Sequence, residues 1–166
     1  YRNRCIIASA NGVQTLSIPV IKPDTPKCYD RDIRISEHGL WRHIHWNAII
    51  SAYRSSPFFD YYEDDFRPFY EKKYEFLYDF NEELRLLICE LIDIQPIVTH
   101  SGHFIESDSD IRDLREAINP KKPPVNTDFK PYYQVFTPKY GFQANLSIID
   151  LLFNLGNETS IALSSE

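Results

Sequence analysis

Three observations predict an α/β fold, a mixed sheet with an N-terminal antiparallel hairpin and a cluster of helices, with α+β as the alternative. Two β-prone runs, Arg4-Cys5-Ile6-Ile7-Ala8 and Val13-Gln14-Thr15-Leu16-Ser17-Ile18, flank Asn11-Gly12. Apolar residues then recur at helical spacing in several later segments, and short strand-like runs alternate with those helices.

The hairpin comes first because Asn and Gly best tolerate the positive φ that both central positions of a type I′ turn require. After a Pro-rich passage at 22–26, the alternating run Asp32-Ile33-Arg34-Ile35 reads as a further strand. Trp41, Ile44, His45, Ala48 and Ala52 recur at helical spacing, so a helix is predicted over 38–54 with Ser36 as its cap. Ser56 then caps a second helix with Pro57 at its first position.

Residues 58–80 hold eleven aromatics interleaved with acidic side chains. Phe58, Tyr62, Phe66 and Phe69 form one helical stripe, which Pro68 is expected to interrupt. Such a stripe is read as core, with carbohydrate stacking as the alternative. Asp79 and Glu82 make a capping box for a helix through Asp93, whose stripe is Leu84, Leu87, Ile88, Leu91 and Ile92. Ile97-Val98-Thr99-His100 reads as a strand, 109–118 as a short helix, 120–131 as an exposed loop and Tyr132-Tyr133-Gln134-Val135-Phe136 as a strand. Ser147 and Asp150 form a second capping box, and Gly156 stops that last helix.

At 166 residues the chain is expected to be one domain over 1–166. It begins at Tyr and has no Met, so its natural start is expected to lie upstream. Eighteen basic against twenty-four acidic side chains give a net charge of −6, so no global field draws the chain to nucleic acid or an anionic membrane. The three cysteines are odd in number and widely spaced, which argues against a disulfide scaffold or a zinc site and for a reducing cytoplasm. No apolar run reaches the length of a membrane span. No motif for a cofactor or a phosphate loop is present. Asp30-Arg31-Asp32, Glu63-Asp64-Asp65 and Asp108-Ser109-Asp110 do not follow buried strands, so no metal site is expected.

His45 is the first candidate for a general base, because imidazole is the side chain most readily tuned for proton transfer near neutral pH. It shares the apolar stripe with Trp41, so the structural alternative is a hydrogen-bonded core histidine. In the functional reading Trp41 packs a sugar ring. Arg2 and Arg4 alternate onto one strand face, where their guanidinium groups would converge on a phosphate or carboxylate, with Arg42 as a third cation. A nucleotide-linked sugar would supply such phosphates. The alternative is a solvated face or ion pairing with the acidic excess. Asn154 lies among Leu, Phe and Leu and either contacts ligand or ends its helix.

Three blocks together carry a resemblance: Arg2-Asn3-Arg4-Cys5 with Gly12 and Leu16-Ser17-Ile18-Pro19-Val20, then Trp41 through Tyr53 with Ser56-Pro57-Phe58-Phe59, and last Asn145 through Gly156. In order and spacing they resemble the WbqC-like protein family, and the aromatic, acidic middle looks like its Bacteroides-type forms. The resemblance implies a bacterial protein of O-antigen or other surface polysaccharide biosynthesis that transfers an aminoacyl group, glycine in particular, or an acyl group onto a sugar precursor, and the reading of the acidic motifs makes that transfer metal-independent. It adds Asn3 to the substrate-binding candidates through its place in the first block. The partner would be a nucleotide-linked sugar or an activated acyl or aminoacyl donor. The Gln-Pro-x-Tyr-like segment that opens full members is absent here. The competing expectation is a non-catalytic carbohydrate-binding or assembly protein built on an exposed aromatic face.

Overall fold

The computed structural model describes residues 2–23, 28–103, 105, 112–114 and 129–164. Its sheet is a two-stranded antiparallel hairpin, β1 (Arg4–Ser9) and β2 (Gly12–Ser17). Among the described residues six α-helices accompany it: α1 (Trp41–Tyr53), α2 (Phe59–Glu71), α3 (Leu77–Leu91), α4 (Thr137–Tyr140), α5 (Ile148–Leu155) and α6 (Thr159–Ser164).

The hairpin forms where the sequence places it, but its turn is centred one residue earlier. Ser9 pairs with Gly12, which leaves Ala10 and Asn11 as the central residues. Of Asn11 and Gly12 only Gly12 has positive φ, at 97°. The glycine therefore serves the return into β2, as in a turn followed by a bulge, and not a type I′ centre. The strand expected at 32–35 is reduced to two isolated bridges, Val20 with Ile35 and Arg34 with Phe76.

Local side-chain bonds and tertiary backbone bonds move several helix starts away from their sequence signals. Ser36 Oγ accepts from the His38 N–H, and Gly39 at φ 74° turns the chain, so α1 begins only at Trp41. Ser56 Oγ donates to the Tyr53 carbonyl, and the Phe58 N–H donates to the Phe153 carbonyl at 3.0 Å. That bond holds Phe58 outside α2, so the buried stripe is Phe59, Tyr62, Phe66 and Phe69. Pro68 does not break α2, because it lies near the end and the helix closes through Lys72 N–H on the Pro68 carbonyl.

The start of α3 is set by the Leu77 N–H on the Ile33 carbonyl, at 2.9 Å. The box of Asp79 and Glu82 does not form: the cap is Phe76 with no side-chain bond, and Glu82 instead takes Arg85 at 3.0 Å. Residues 97–100 and 132–136 carry no strand, and Ile97 is 98% exposed. Gln134 completes its own backbone-like pairing with side-chain atoms, exchanging two bonds of 2.9 Å with the Gln143 backbone. The predicted helix at 109–118 and loop at 120–131 lie largely outside the described residues, and 112–114 and 129–131 have no regular structure.

Ser147 does hold the N-cap position of α5, but its side chain makes no capping bond. Its Oγ accepts from the Ile6 N–H, and its own N–H donates to the Ile6 carbonyl, both at 2.8 Å. These bonds use the outer edge of β1 at Ile6, which faces away from β2. Gly156 ends α5 as expected, at φ 57°.

The core divides in two. One cluster joins Ile7, Ile49, Tyr53, Phe59, Phe66 and Phe153 with their neighbours. The other joins Ile18, Ile33, Trp41, Phe69, Leu77 and Phe80 with theirs. Tyr70, Leu84 and Leu87 pack against both.

Candidate functional site

The first residues of the chain lie over the seam between the two core clusters, and a cavity of about 120 Å³ opens there. Leu16, Phe66 and Ile149 come from one cluster, Ile18 and Phe80 from the other, and Leu84 bridges them as wall. Two shapes that each close around their own aromatic residues leave such a gap where they meet, because close packing is not completed across both at once.

Backbone pairing positions the rim. The Asn3 side-chain amide donates to the Ile18 carbonyl at 3.1 Å, and the Ile18 N–H donates to the Asn3 carbonyl at 2.8 Å, extending the hairpin one pair beyond β1. From α3, Asn81 Nδ2 donates to the Arg2 carbonyl at 2.8 Å. Arg2, Asn3 and Arg4 are thereby held along the cavity. Arg2 is ion-paired with Asp30, whereas exposed Arg4 has no ion-pair partner among the described residues.

His45 projects from α1 into the same cavity and is buried. Burial lowers its pKa, a trend that its hydrogen bond to the Ser17 backbone opposes in part, so the ring is neutral at pH 7. The exposed His43 on the opposite side of α1 meets Asn47 instead, at 2.9 Å. Cys5 lines the wall, and burial pushes its thiol up to about 11, with a hydrogen bond to Ser147 pulling the other way. Tyr70 adds a phenol, held protonated by burial and stacked on Trp46 at 5.4 Å.

Three sequence candidates lie outside the cavity lining. Trp41 is 5% exposed and meets His45 edge-on at 5.3 Å, so it lies beside the imidazole and offers no open face to a sugar. Arg42 forks onto Glu37, with one bond at 2.8 Å, and lies over the Trp41 ring. Asn154 is buried, and its amide donates to the Asp150 carbonyl at 2.7 Å, the bond of a residue in the closing turn of its helix. Sequence reasoning missed Cys5, Tyr70 and Asn81, which come from three different elements. Only the place of Cys5 beside Arg4 hinted at any of them.

Asp150 is the other surprise. A capping role would leave it at the surface, yet it is fully buried and accepts from Tyr53 Oη at 2.8 Å, Tyr132 Oη at 2.7 Å and Gln134 Nε2 at 3.0 Å. These donors satisfy its carboxylate and tie α1, α5 and residues 132–134 together. Among the described residues no cluster of three His, Cys, Asp or Glu side chains is placed to hold a metal ion, and no helix is long and apolar enough to cross a membrane.

The model of the WbqC-like protein family matches residues 1–120, which include β1, β2, α1, α2 and α3. No curated protein and no solved structure matches the chain.

Proposed function

The chain belongs to the WbqC-like protein family, and from that membership we propose that it is a cytoplasmic transferase that moves an acyl or aminoacyl group onto a sugar precursor of O-antigen or another surface polysaccharide. The observation that carries this reading is the convergence of Arg2, Arg4 and neutral His45 on one cavity. A cationic rim beside a buried, uncharged base suits a phosphate-bearing donor and a nucleophile that must lose a proton.

In this reaction the acceptor hydroxyl or amine attacks the carbonyl carbon of the donor. The ring nitrogen of His45 that Ser17 does not engage takes the proton. As the new bond to carbon forms, the bond from carbon to the leaving oxygen or sulfur breaks, and the imidazolium returns the proton to that leaving group. Arg4, with Arg2 beside it, holds the donor phosphate, and Trp41 is a positioning residue that fixes the imidazole. No resident metal or cofactor enters the step.

Of the aromatics at 58–80, Phe59, Tyr62, Phe66, Phe69, Tyr74 and Phe80 are core while Tyr61 and Phe58 stay exposed, which leaves the competing binding reading few rings of that stretch to work with. The test is mass spectrometry of surface polysaccharide from the source bacterium with and without the full-length gene, complemented by the wild type or by His45→Ala. Loss of one small substituent, restored by the wild type and not by the variant, is the expected result. An unchanged repeat with altered amount or chain length would overturn the transfer reading.

A further inference from the structure

We infer that the cavity takes a small uncharged acyl chain delivered on a phosphate-bearing donor, and not an aminoacyl group with a free ammonium. This rests on the reading of the cavity as the donor site. Size is the first argument. A volume of about 120 Å³ is below that of a cavity of about 150 Å³ that holds benzene. It admits a chain of about four or five heavy atoms, so a hexose ring stays outside.

Wall chemistry is the second argument. Leu16, Ile18, Phe66, Phe80, Leu84 and Ile149 supply hydrocarbon, which gains by covering methylene groups. Charge is the third. Among the described residues, the ionised side chains lining the cavity are Arg2 and Arg4, both positive, and no carboxylate lines it. Asp30 is outside the lining and engaged by Arg2, and buried Asp150 is outside it and occupied by Tyr53, Tyr132 and Gln134. An ammonium entering would leave water with no carboxylate in the described lining to meet it, beside the like charge of Arg4 and the Asp30-paired Arg2. His45, Cys5 and Tyr70 are all neutral at pH 7 and do not change that balance. The phosphate therefore rests on the arginine rim and the uncharged chain points inward.

The pair of probes that isolates this is n-propyl phosphate and 2-aminoethyl phosphate, which have the same number of heavy atoms and exchange a terminal methyl for an ammonium. Binding to the full chain is measured by calorimetry, with inorganic phosphate as reference. Propyl phosphate is expected to bind about tenfold or more tighter than inorganic phosphate, and about a hundredfold tighter than the aminoethyl ester. Arg4→Ala, at an exposed side chain without an ion-pair partner among the described residues, should weaken propyl phosphate about tenfold. Leu84→Phe, at a partly exposed wall position, should remove its advantage over inorganic phosphate.

Equal or tighter binding of the aminoethyl ester, still weakened by Arg4→Ala, would overturn the choice of group and leave the donor site standing. Absence of saturable binding by either ester, or binding that neither variant changes, would overturn the donor site and this inference with it.

Discussion

Tyr53 on α1 donates its phenolic hydrogen bond to Asp150 on α5 at 2.8 Å, although 97 residues separate them in the chain. Both side chains are buried, and the carboxylate collects two further donors from Tyr132 and Gln134. The network fastens the C-terminal segment to the hairpin side of the protein, since Ser147, one turn away, pairs with Ile6.

Removing the acceptor strands several buried donors at once, so Asp150→Ala is expected to destabilise the protein by about 3 kcal/mol or more. Tyr53→Phe removes one donor and leaves the others in place, and should cost about 1 kcal/mol. Urea denaturation of the two variants checks the ranking. Equal losses would mean that the carboxylate is not the hub.

Acid should weaken the fold through His45. Its folded pKa lies below the ordinary 6.5 because burial disfavours the charged ring, so the unfolded chain takes up the proton first. The corresponding stability is present above pH 6.5 and is lost as pH falls through the folded value. His45→Gln should flatten this acid slope in pH-dependent denaturation. The acid limb of the pH profile for transfer is expected below 6.5 as well, since the base stays neutral to lower pH.

Alkali should weaken it through Cys5. The thiol is raised from 9.0 to about 11, so above pH 9 the unfolded chain loses its proton while the folded one keeps it. Stability is complete below pH 9 and declines toward pH 11, by about 2 kcal/mol from this group. Tyr53, Tyr70 and Tyr132, also raised by burial, extend the decline above pH 10. Cys5→Ala should remove the portion between pH 9 and 10, before the tyrosines contribute. Parallel curves for wild type and variant would contradict the assignment.

Gly156→Ala is expected to lower stability by about 1–3 kcal/mol. The residue has φ 57°, and an added Cβ would lie 2.6 Å from Phe58 Cδ1. The double variant with Phe58→Ala removes the clash and retains the backbone strain, so it should recover only part of the loss attributable to Gly156. Thermal denaturation of the two singles and the double separates the terms.

Arg4→Ala and Arg42→Ala should behave oppositely. Arg4 is on the cavity rim without an ion-pair partner among the described residues, so its loss is expected to raise the KM for the donor and leave the melting temperature unchanged. Arg42 is tied to Glu37 and Trp41, so its loss should lower stability slightly, by about 0.5–1 kcal/mol, with donor KM unchanged.

Local rules made the hairpin, the three main helices and the stop at Gly156 legible in the sequence, because turn chemistry and periodic burial act within a few residues. Arg2, Arg4 and His45 were legible as candidates because their residue types have few uses. Their meeting at one cavity was decided by the tertiary structure, which brings β1, α1 and α3 to the seam of two core clusters. The same long-range bonds overruled local signals elsewhere. The Ser147 hydroxyl accepts from the Ile6 N–H instead of capping α5, Phe58 gives its N–H to Phe153 instead of entering α2, and Asp150, in the first turn of α5, turns its side chain into the core. Capping groups are interchangeable donors and acceptors, so a partner distant in sequence claims them whenever folding brings a buried backbone or hydroxyl group within reach.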